Sequence, residues 1–516
     1  MADPTTLFNF PPAGASLEQL SPSEYDQAIR SYIQTLDGIN PYFWVAGALG
    51  DEKLLDILDP SVNTIPYLYV LYSQISALVD QRKDGPMPDN IKPGGELFSK
   101  LATFLDSFDP MQIRYVGKTW RNVIELLNNI ARAVSQVSVA SQDEVVSQLT
   151  GALKPAVALV PIRNAMTRMD PTLGTFTSTH LLYLRLCHMV RAHFEALPVL
   201  EQYIHSFPST PVKGGEFTLP CADHFTSAGY ITTASGLSAK VSSSDVQEYF
   251  LLGANTYLAL RQWGQAQLFL EYILTTPAQN VATGLMAEAY RKWVLVSCLV
   301  ENTSSLKGAN SIALRSIKAA SRAYDALVEV FNSGDAAKLH AEIDTGASIW
   351  QEDGNKGLVR ELQAHQSKVF VKNLQKTYAA APLANVATWI NKSPQAVEQY
   401  LQALIDEGFL NAAIEQPSAD ATTKILRFHD ANHCNMPATQ AEEQQLAELM
   451  AQAKKTQELA DHIKAATHRL TVMRDYVDHV KKRAKNKEGA DPGLGGDTMD
   501  VSWEAHDEDE DMMADL

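Results

Sequence analysis

A chain of 516 residues is too long for one small globule, so two or more structural units or an elongated repeat array are expected. With 45% hydrophobic, 20% charged and only 8% aromatic residues it reads as a helical protein with a large core, which excludes wholesale disorder. Its formal net charge of -17 is the wrong sign for a chain that binds by neutralising phosphates, and the last 29 residues, Glu488 to Leu516, carry eleven acids with no Lys or Arg.

Met1 to Ala15 has no basic stretch ahead of an apolar one, so no signal peptide is expected. Up to about residue 380, apolar-periodic stretches of 10 to 20 residues end in Pro, Gly, Asp or Asn with almost no strand alternation. The pattern predicts helices at Pro22 to Leu36, Pro66 to Val79, Leu97 to Phe108, Tyr115 to Ala133, Asp143 to Leu153, Ser178 to Leu197, Asp245 to Leu260, Gln265 to Leu274, Leu285 to Val300, Ser316 to Phe331 and Lys356 to Thr377. Asp84 to Gly95 and the Ser/Thr/Gly/Pro-rich Phe207 to Ser244 read as long, mobile surface loops. The most apolar segment, Val281 to Val300, is interrupted by Glu288, Arg291 and Lys292, so no membrane span is expected.

Within Asp245 to Pro277, Leu252-Gly253, Tyr257, Ala266, Leu270 and Pro277 fall near a tetratricopeptide-type helix hairpin, one residue out of its spacing. Such a hairpin leaves an apolar face that stacked neighbours cover, which builds a solenoid.

The texture changes at Leu383. Leu383, Val386, Ala387 and Ile390 line one helix face, Asn391 to Ser393 turns, and Pro394 opens a second helix with Val397, Leu401, Leu404 and Ile405 inward and Gly408 as its stop. Phe409 to Ile414 and Lys424 to Phe428 then alternate as a hairpin, so residues 381–432 read as a winged helix. Lys424 to Phe428 is expected to run at the sheet edge, with Leu426 and Phe428 contacting a partner. Thr439 to Lys487 lacks Gly and Pro and reads as one long helix whose seam, with Leu446, Leu449, Ile463 and Leu470 as its large members, wants helices from other chains. The acidic tail, 488–516, is expected to be disordered. The organisation is thus N-terminal helical repeats over 1–244, tetratricopeptide-like hairpins over 245–380, the winged helix, a bundle helix over 438–487 and the tail.

Chemistry is sparse. Nucleotide-binding, zinc-protease and serine-hydrolase motifs are absent, so no enzyme and no cofactor is expected. The closest group to a metal site, His429, His433 and Cys434, falls short of a four-ligand set and reads as exposed loop residues; His180, Cys187, His188 and His193 read as packing residues. The second helix of the winged helix has Glu398, Asp406 and Glu407 but no Lys or Arg, which opposes DNA docking. The four cysteines are widely spaced and suit a reducing compartment, cytosol or nucleus. The run Lys481, Lys482, Arg483, Lys485 and Lys487 reads equally as a nuclear localisation patch or as cations at a helix C-terminus.

Helical hairpins running into a winged helix with a long helix behind resemble the PCI family, the scaffold proteins shared by the proteasome lid, the COP9 signalosome and translation initiation factor three. TTPAQN at Thr275 to Asn280, EAYRKWVLVSCL at Glu288 to Leu299, DGNKGLVREL at Asp353 to Leu362, and Glu398 to Asp430 carry the resemblance and lie nearest the signalosome's members. The resemblance implies a non-catalytic scaffold whose partners are other PCI subunits and metalloprotease-containing subunits, and indirectly cullin-RING ligases. The chain lacks the H-x-H motif of that metalloprotease. The Phe207 to Ser244 segment, the long wing turn and the acidic tail look like departures from the family.

Overall fold

The computed structural model describes residues 4–10, 21–49, 52–81, 87–137, 156–208, 219–222, 224, 226–276, 282–300, 311–390, 393–406, 409–410, 412–416, 424–428 and, between 446 and 467, the residues 446–447, 449–457, 459–461, 463–464 and 467. The chain divides into two units, Met1–Glu442 and Glu443–Leu516. The first is an array of helices on one continuous core from Leu7 to Leu362, followed by a small three-stranded antiparallel sheet with its own core. Among the described residues no helix is long and apolar enough to cross a membrane.

The helices begin where local chemistry satisfies their first N–H groups. Ser21 caps Pro22–Asp37 in a reciprocal box with Glu24, and Ser242 does the same for Ser243–Ala259 with Asp245. Glu96–Ser107, Gly117–Val137, Leu159–Met169 and Ser178–Val190 continue the array, their inward faces filled by Leu, Ile, Phe and Met. Two predicted helices are each split. Ser178–Val190 ends because Arg191 adopts the left-handed conformation at φ 59°, and His193–Leu200 starts anew. Ser311–Ala320 likewise gives way at Ser321 to Arg322–Asn332. The Asp143 to Leu153 helix lies outside the described residues.

The tetratricopeptide-like hairpin consists of Ser243–Ala259 and Trp263–Thr275. Gly253 is what lets its helices close up: a Cβ there would stand 2.8 Å from the Phe269 ring and 2.9 Å from Leu200. Gly284–Val300 packs next, and the chain reaches the 22-residue helix Lys356–Thr377 by way of Ala336–Thr345 and Ala347–Glu352.

Within the Phe207 to Ser244 segment, the described residues 219–222, 224 and 226–242 are corrected from a mobile surface loop to a packed strap. Ile231 and Leu237 are buried, the Tyr230 hydroxyl donates to the Met169 carbonyl at 2.8 Å, and the Arg114 guanidinium lies 3.7 Å from the Tyr230 ring centroid. Gly117 admits the strap: a Cβ there would meet the Ser235 carbonyl oxygen at 2.5 Å. Two short pairs of residues, β1 (Ala48–Leu49) and β2 (Glu52–Lys53), form a minimal hairpin that periodicity does not reveal.

After Lys356–Thr377 come β3 (Ala380–Pro382), the helices Leu383–Ile390 and Pro394–Asp406, β4 (Ala412–Glu415) and β5 (Ile425–Phe428). The sheet order is β3-β5-β4, all antiparallel, with Leu426 opposite Ala381 on one side and Ile414 on the other. Val397, Leu401, Leu404, Leu410, Ala412, Leu426 and Phe428 close its core together with Val371 and Leu374 of the long helix.

Candidate assembly surfaces

Lys424 to Phe428 is not an edge strand: β5 is the centre of the sheet, hydrogen-bonded on both sides. Leu426 is fully buried and Phe428 is 8% exposed, so both side chains are taken up by this unit's own core. Among the described residues β4 pairs only with β5, which leaves the outer edge of β4 as the free backbone ladder. The opposite strand, β3, has three residues and includes Pro382, which has no N–H to offer.

Charge around the sheet is paired locally. Lys424 Nζ reaches Glu398 of the second helix at 2.5 Å, and Arg427 Nε reaches Glu415 across β4 and β5 at 2.8 Å. Lys368 and Lys372 both stand over the Phe409 ring, at 5.5 and 5.4 Å, holding the start of the hairpin to the long helix. Sequence reasoning missed one surface feature here, the stacked pair Tyr378 and Trp389, with ring centroids 5.7 Å apart and each 43% exposed. Their separation by eleven residues across β3 gives no periodic signal.

In the second unit the described residues between 446 and 467 are helical. Leu446, Leu449 and Ile463 are 55%, 62% and 63% exposed, and Met450 and Leu459 widen the same apolar stripe. Thr456 and Thr467 donate their hydroxyls to the carbonyls four residues back, Gln452 and Ile463, at 2.8 and 2.9 Å, which satisfies their polar atoms within the helix. Leu470, the basic run 481–487, the tail and the group His429, His433 and Cys434 lie outside the described residues.

Two of the resemblance-bearing strings, Glu288 to Leu299 and Asp353 to Leu362, meet in space. Asp353 Oδ1 accepts from Arg291 Nη1 at 2.5 Å while its Oδ2 accepts from the Tyr324 hydroxyl at 2.7 Å. Asn355 Nδ2 donates to that hydroxyl at 2.9 Å, and its Oδ1 accepts from Lys292 Nζ at 3.2 Å; Lys292 also reaches Glu288 at 2.8 Å. Lys292 is 7% and Asn355 1% exposed, so this is a buried polar clasp that ties the 284–300 helix to the turn before Lys356. A cleft of about 560 Å³ lies beside it, lined by Leu258, Trp263, Lys292 and Asn355 and spanned by an Arg261–Glu361 pair at 2.6 Å. Every charged group named in the clasp is paired.

His180 acts as a cap. Its Nδ1 accepts from the Thr177 N–H at 3.1 Å, so the proton of the neutral ring sits on Nε2. Burial pushes its pKa down to about 4 against a smaller opposing effect of Asp170. The thiols of Cys187 and Cys298 are pushed up by burial to about 12 and about 11, so both behave as packing groups.

Comparison with known proteins agrees with this architecture. Residues 48–306 match the family described as COP9 signalosome complex subunit 3, N-terminal helical repeats, a span that includes the 207–244 segment. The COP9 signalosome complex subunit 3 of Emericella nidulans is 31% identical over 411 residues, covering 78% of each chain. That of Neurospora crassa is 26% identical over an alignment covering 99% of this chain and 98% of its own.

Proposed function

The chain belongs to the COP9 signalosome subunit 3 family, and from that premise we propose that it is a non-catalytic scaffold subunit of the signalosome, acting in cytoplasm and nucleus. Residues 381–432 serve as a winged helix of PCI type, associating side by side with the winged helices of neighbouring subunits. The helix spanning 446–467 enters a bundle with helices from other chains. In this role the chain supports removal of the ubiquitin-like modifier from cullin-RING ligases by a separate metalloprotease subunit.

The observation that carries the reading is the distribution of unspent surface. The ionic side chains of the clasp are paired internally, whereas a backbone edge at β4 and an apolar stripe at 446–463 stand open among the described residues. Edges and stripes bind other polypeptides; they do not activate substrates. A proteasome-lid or initiation-factor scaffold would share the architecture, but the two relatives described above are signalosome subunits.

The test is affinity capture of the tagged full chain from cells, with mass spectrometry of what co-purifies. Signalosome PCI subunits and the metalloprotease subunit are expected in near-equal amounts, and the purified chain alone should leave a modified cullin intact. Recovery of proteasome-lid or initiation-factor subunits instead, or modifier cleavage by the chain alone, would overturn the proposal.

A further inference from the structure

The chain holds 60 Asp and Glu against 43 Lys and Arg, and cations on successive helices are met by that excess: Arg30 by Asp26, Arg163 by Glu195, Arg185 by Glu248 and Arg261 by Glu361. One stretch departs from this habit. From Asn302 to Tyr324 there are the cations Lys307, Arg315, Lys318 and Arg322 and no acid. The next acid along, Asp325, already accepts from the Tyr290 hydroxyl at 2.8 Å.

The fold gathers three of these cations on one surface. The Ser311–Ala320 helix packs inward through Ala313 and Ile317, 1% and 2% exposed. On its outward side Arg315 lies three residues on from Ile312, with Lys318 and Ala319 three and four beyond it, and all four are exposed, Ile312 at 55%. Arg322, also exposed, opens the next helix just past the turn at Ser321. Among the described residues none of Arg315, Lys318 and Arg322 has an ion pair or a side-chain hydrogen bond. Like charges three and four residues apart repel and weaken a helix slightly, so the bare chain carries this face at a small cost that a carboxylate partner would relieve.

We propose that this face receives an acidic segment of another polypeptide, with Arg315, Lys318 and Arg322 pairing with its carboxylates and Ile312 giving it an apolar contact. Charge complementarity selects the occupant. Exposed charges are screened beyond about 8 Å at physiological ionic strength, so a short acidic segment feels the three local cations and not the net charge of -17. A nucleic acid strand would instead run its phosphates past the patch onto the rest of an acidic chain, which repels them. The surface lies on different elements from the β4 edge and the 446–467 helix, so it stands or falls independently of the roles proposed for those two.

The experiment titrates the full chain into a short fluorescein-labelled peptide of repeated Glu-Glu-Leu-Ala units and reads fluorescence anisotropy. The peptide is expected to bind more weakly as salt is added, and its Gln-for-Glu counterpart is expected not to bind. An exposed ion pair is worth roughly 1.4- to 5-fold in affinity, so the combined Arg315→Glu, Lys318→Glu and Arg322→Glu variant binds roughly 3- to 150-fold more weakly. Its thermal midpoint stays within the range of ordinary surface substitutions, because all three side chains are exposed. Reversal of two exposed cations on another helix, Lys356→Glu with Arg360→Glu, controls for net charge and leaves binding unchanged. In the tagged chain captured from cells, the photo-crosslinker p-benzoylphenylalanine in place of Ala319 should join a segment of another protein rich in Asp and Glu, and the triple reversal should abolish that cross-link. Equal weakening by the Lys356 and Arg360 reversal, equal binding of the Gln peptide, tighter binding of a single-stranded oligonucleotide, or a cross-link that is absent or falls on a segment without acids would each overturn the proposal.

Discussion

Replacing Leu449 and Ile463 together by Glu separates the assembly role of the 446–467 helix from folding. The two positions are fourteen residues apart, close to four helical turns, so they share a face. Each is more than 60% exposed. Full burial of such a side chain is worth about 1.5 to 3 kcal/mol, so covering the exposed fraction contributes about 1 to 2 kcal/mol each and about 2 to 4 for the pair. Losing it weakens association by roughly 30- to 1,000-fold, before the cost of placing carboxylates against apolar partners is added. Because both side chains already face solvent, the melting midpoint of the isolated chain should stay within about the range of ordinary surface substitutions. Size-exclusion chromatography with partner subunits reads the first quantity and circular dichroism the second. Truncation after Lys487 is the control and should be silent for assembly. Normal co-elution of the double variant, or a disruptive truncation, would refute the assignment of the contact to this stripe.

Asp353→Ala removes the acceptor for both Arg291 and Tyr324, whose partly buried bonds at 2.5 and 2.7 Å hold the clasp; a loss of about 2 to 4 kcal/mol in urea unfolding is expected, with Asp353→Asn milder. Gly253→Val should cost about 2 to 3 kcal/mol in the same assay, because Phe269 is wedged between Phe250 and Tyr257 and has little room to yield. His180 is neutral in the fold with a pKa of about 4, below its ordinary 6.5, so its contribution is complete above pH 6.5 and is lost as pH falls toward 4. Denaturation at steps across that window should show a stability slope of about 1.4 kcal/mol per pH unit from this one proton, flattened in His180→Gln.

Where periodicity and a capping residue coincide, the sequence specifies the element closely. The Ser-Pro step at residues 21 and 22 starts the Pro22–Asp37 helix as expected, and Lys356–Thr377 has its predicted bounds even though Asn355 makes no capping bond. The splits at Arg191 and Ser321 were illegible because neither is Gly or Asn, the residues that usually mark a left-handed or turn-type helix end. Pro41–Ala46, Leu54–Ile57 and Pro110–Ile113 have four to six residues each, too few to show a period. The position of β5 was misread for one reason: Ala380–Pro382 has no alternation and contains a Pro, so nothing marked it as a strand. Proline is tolerated there because β3 is itself an edge, and its presence moves β5 to the centre. Leu426 and Phe428 were therefore rightly read as strand residues facing one side, but that side is the interior.

Two of the strings that carry the family resemblance hold each other in space. Arg291 and Lys292 look like surface cations in sequence, and Asp353 and Asn355 look like turn residues, yet they bond to one another and to Tyr324 inside the array. A buried ionic clasp is a modest source of net stability but is intolerant of misplacement, since each unpaired member is costly. Its geometric effect is to fix the 284–300 helix against the start of Lys356–Thr377, the helix whose far end supplies Val371 and Leu374 to the sheet core. The orientation of the sheet, and with it the direction of the β4 edge, is therefore set by polar contacts some fifteen residues upstream. Under the proposed scaffold role, the clasp formed by two of the family-bearing strings orients an edge that a third, Glu398 to Asp430, itself contains at Ala412–Glu415.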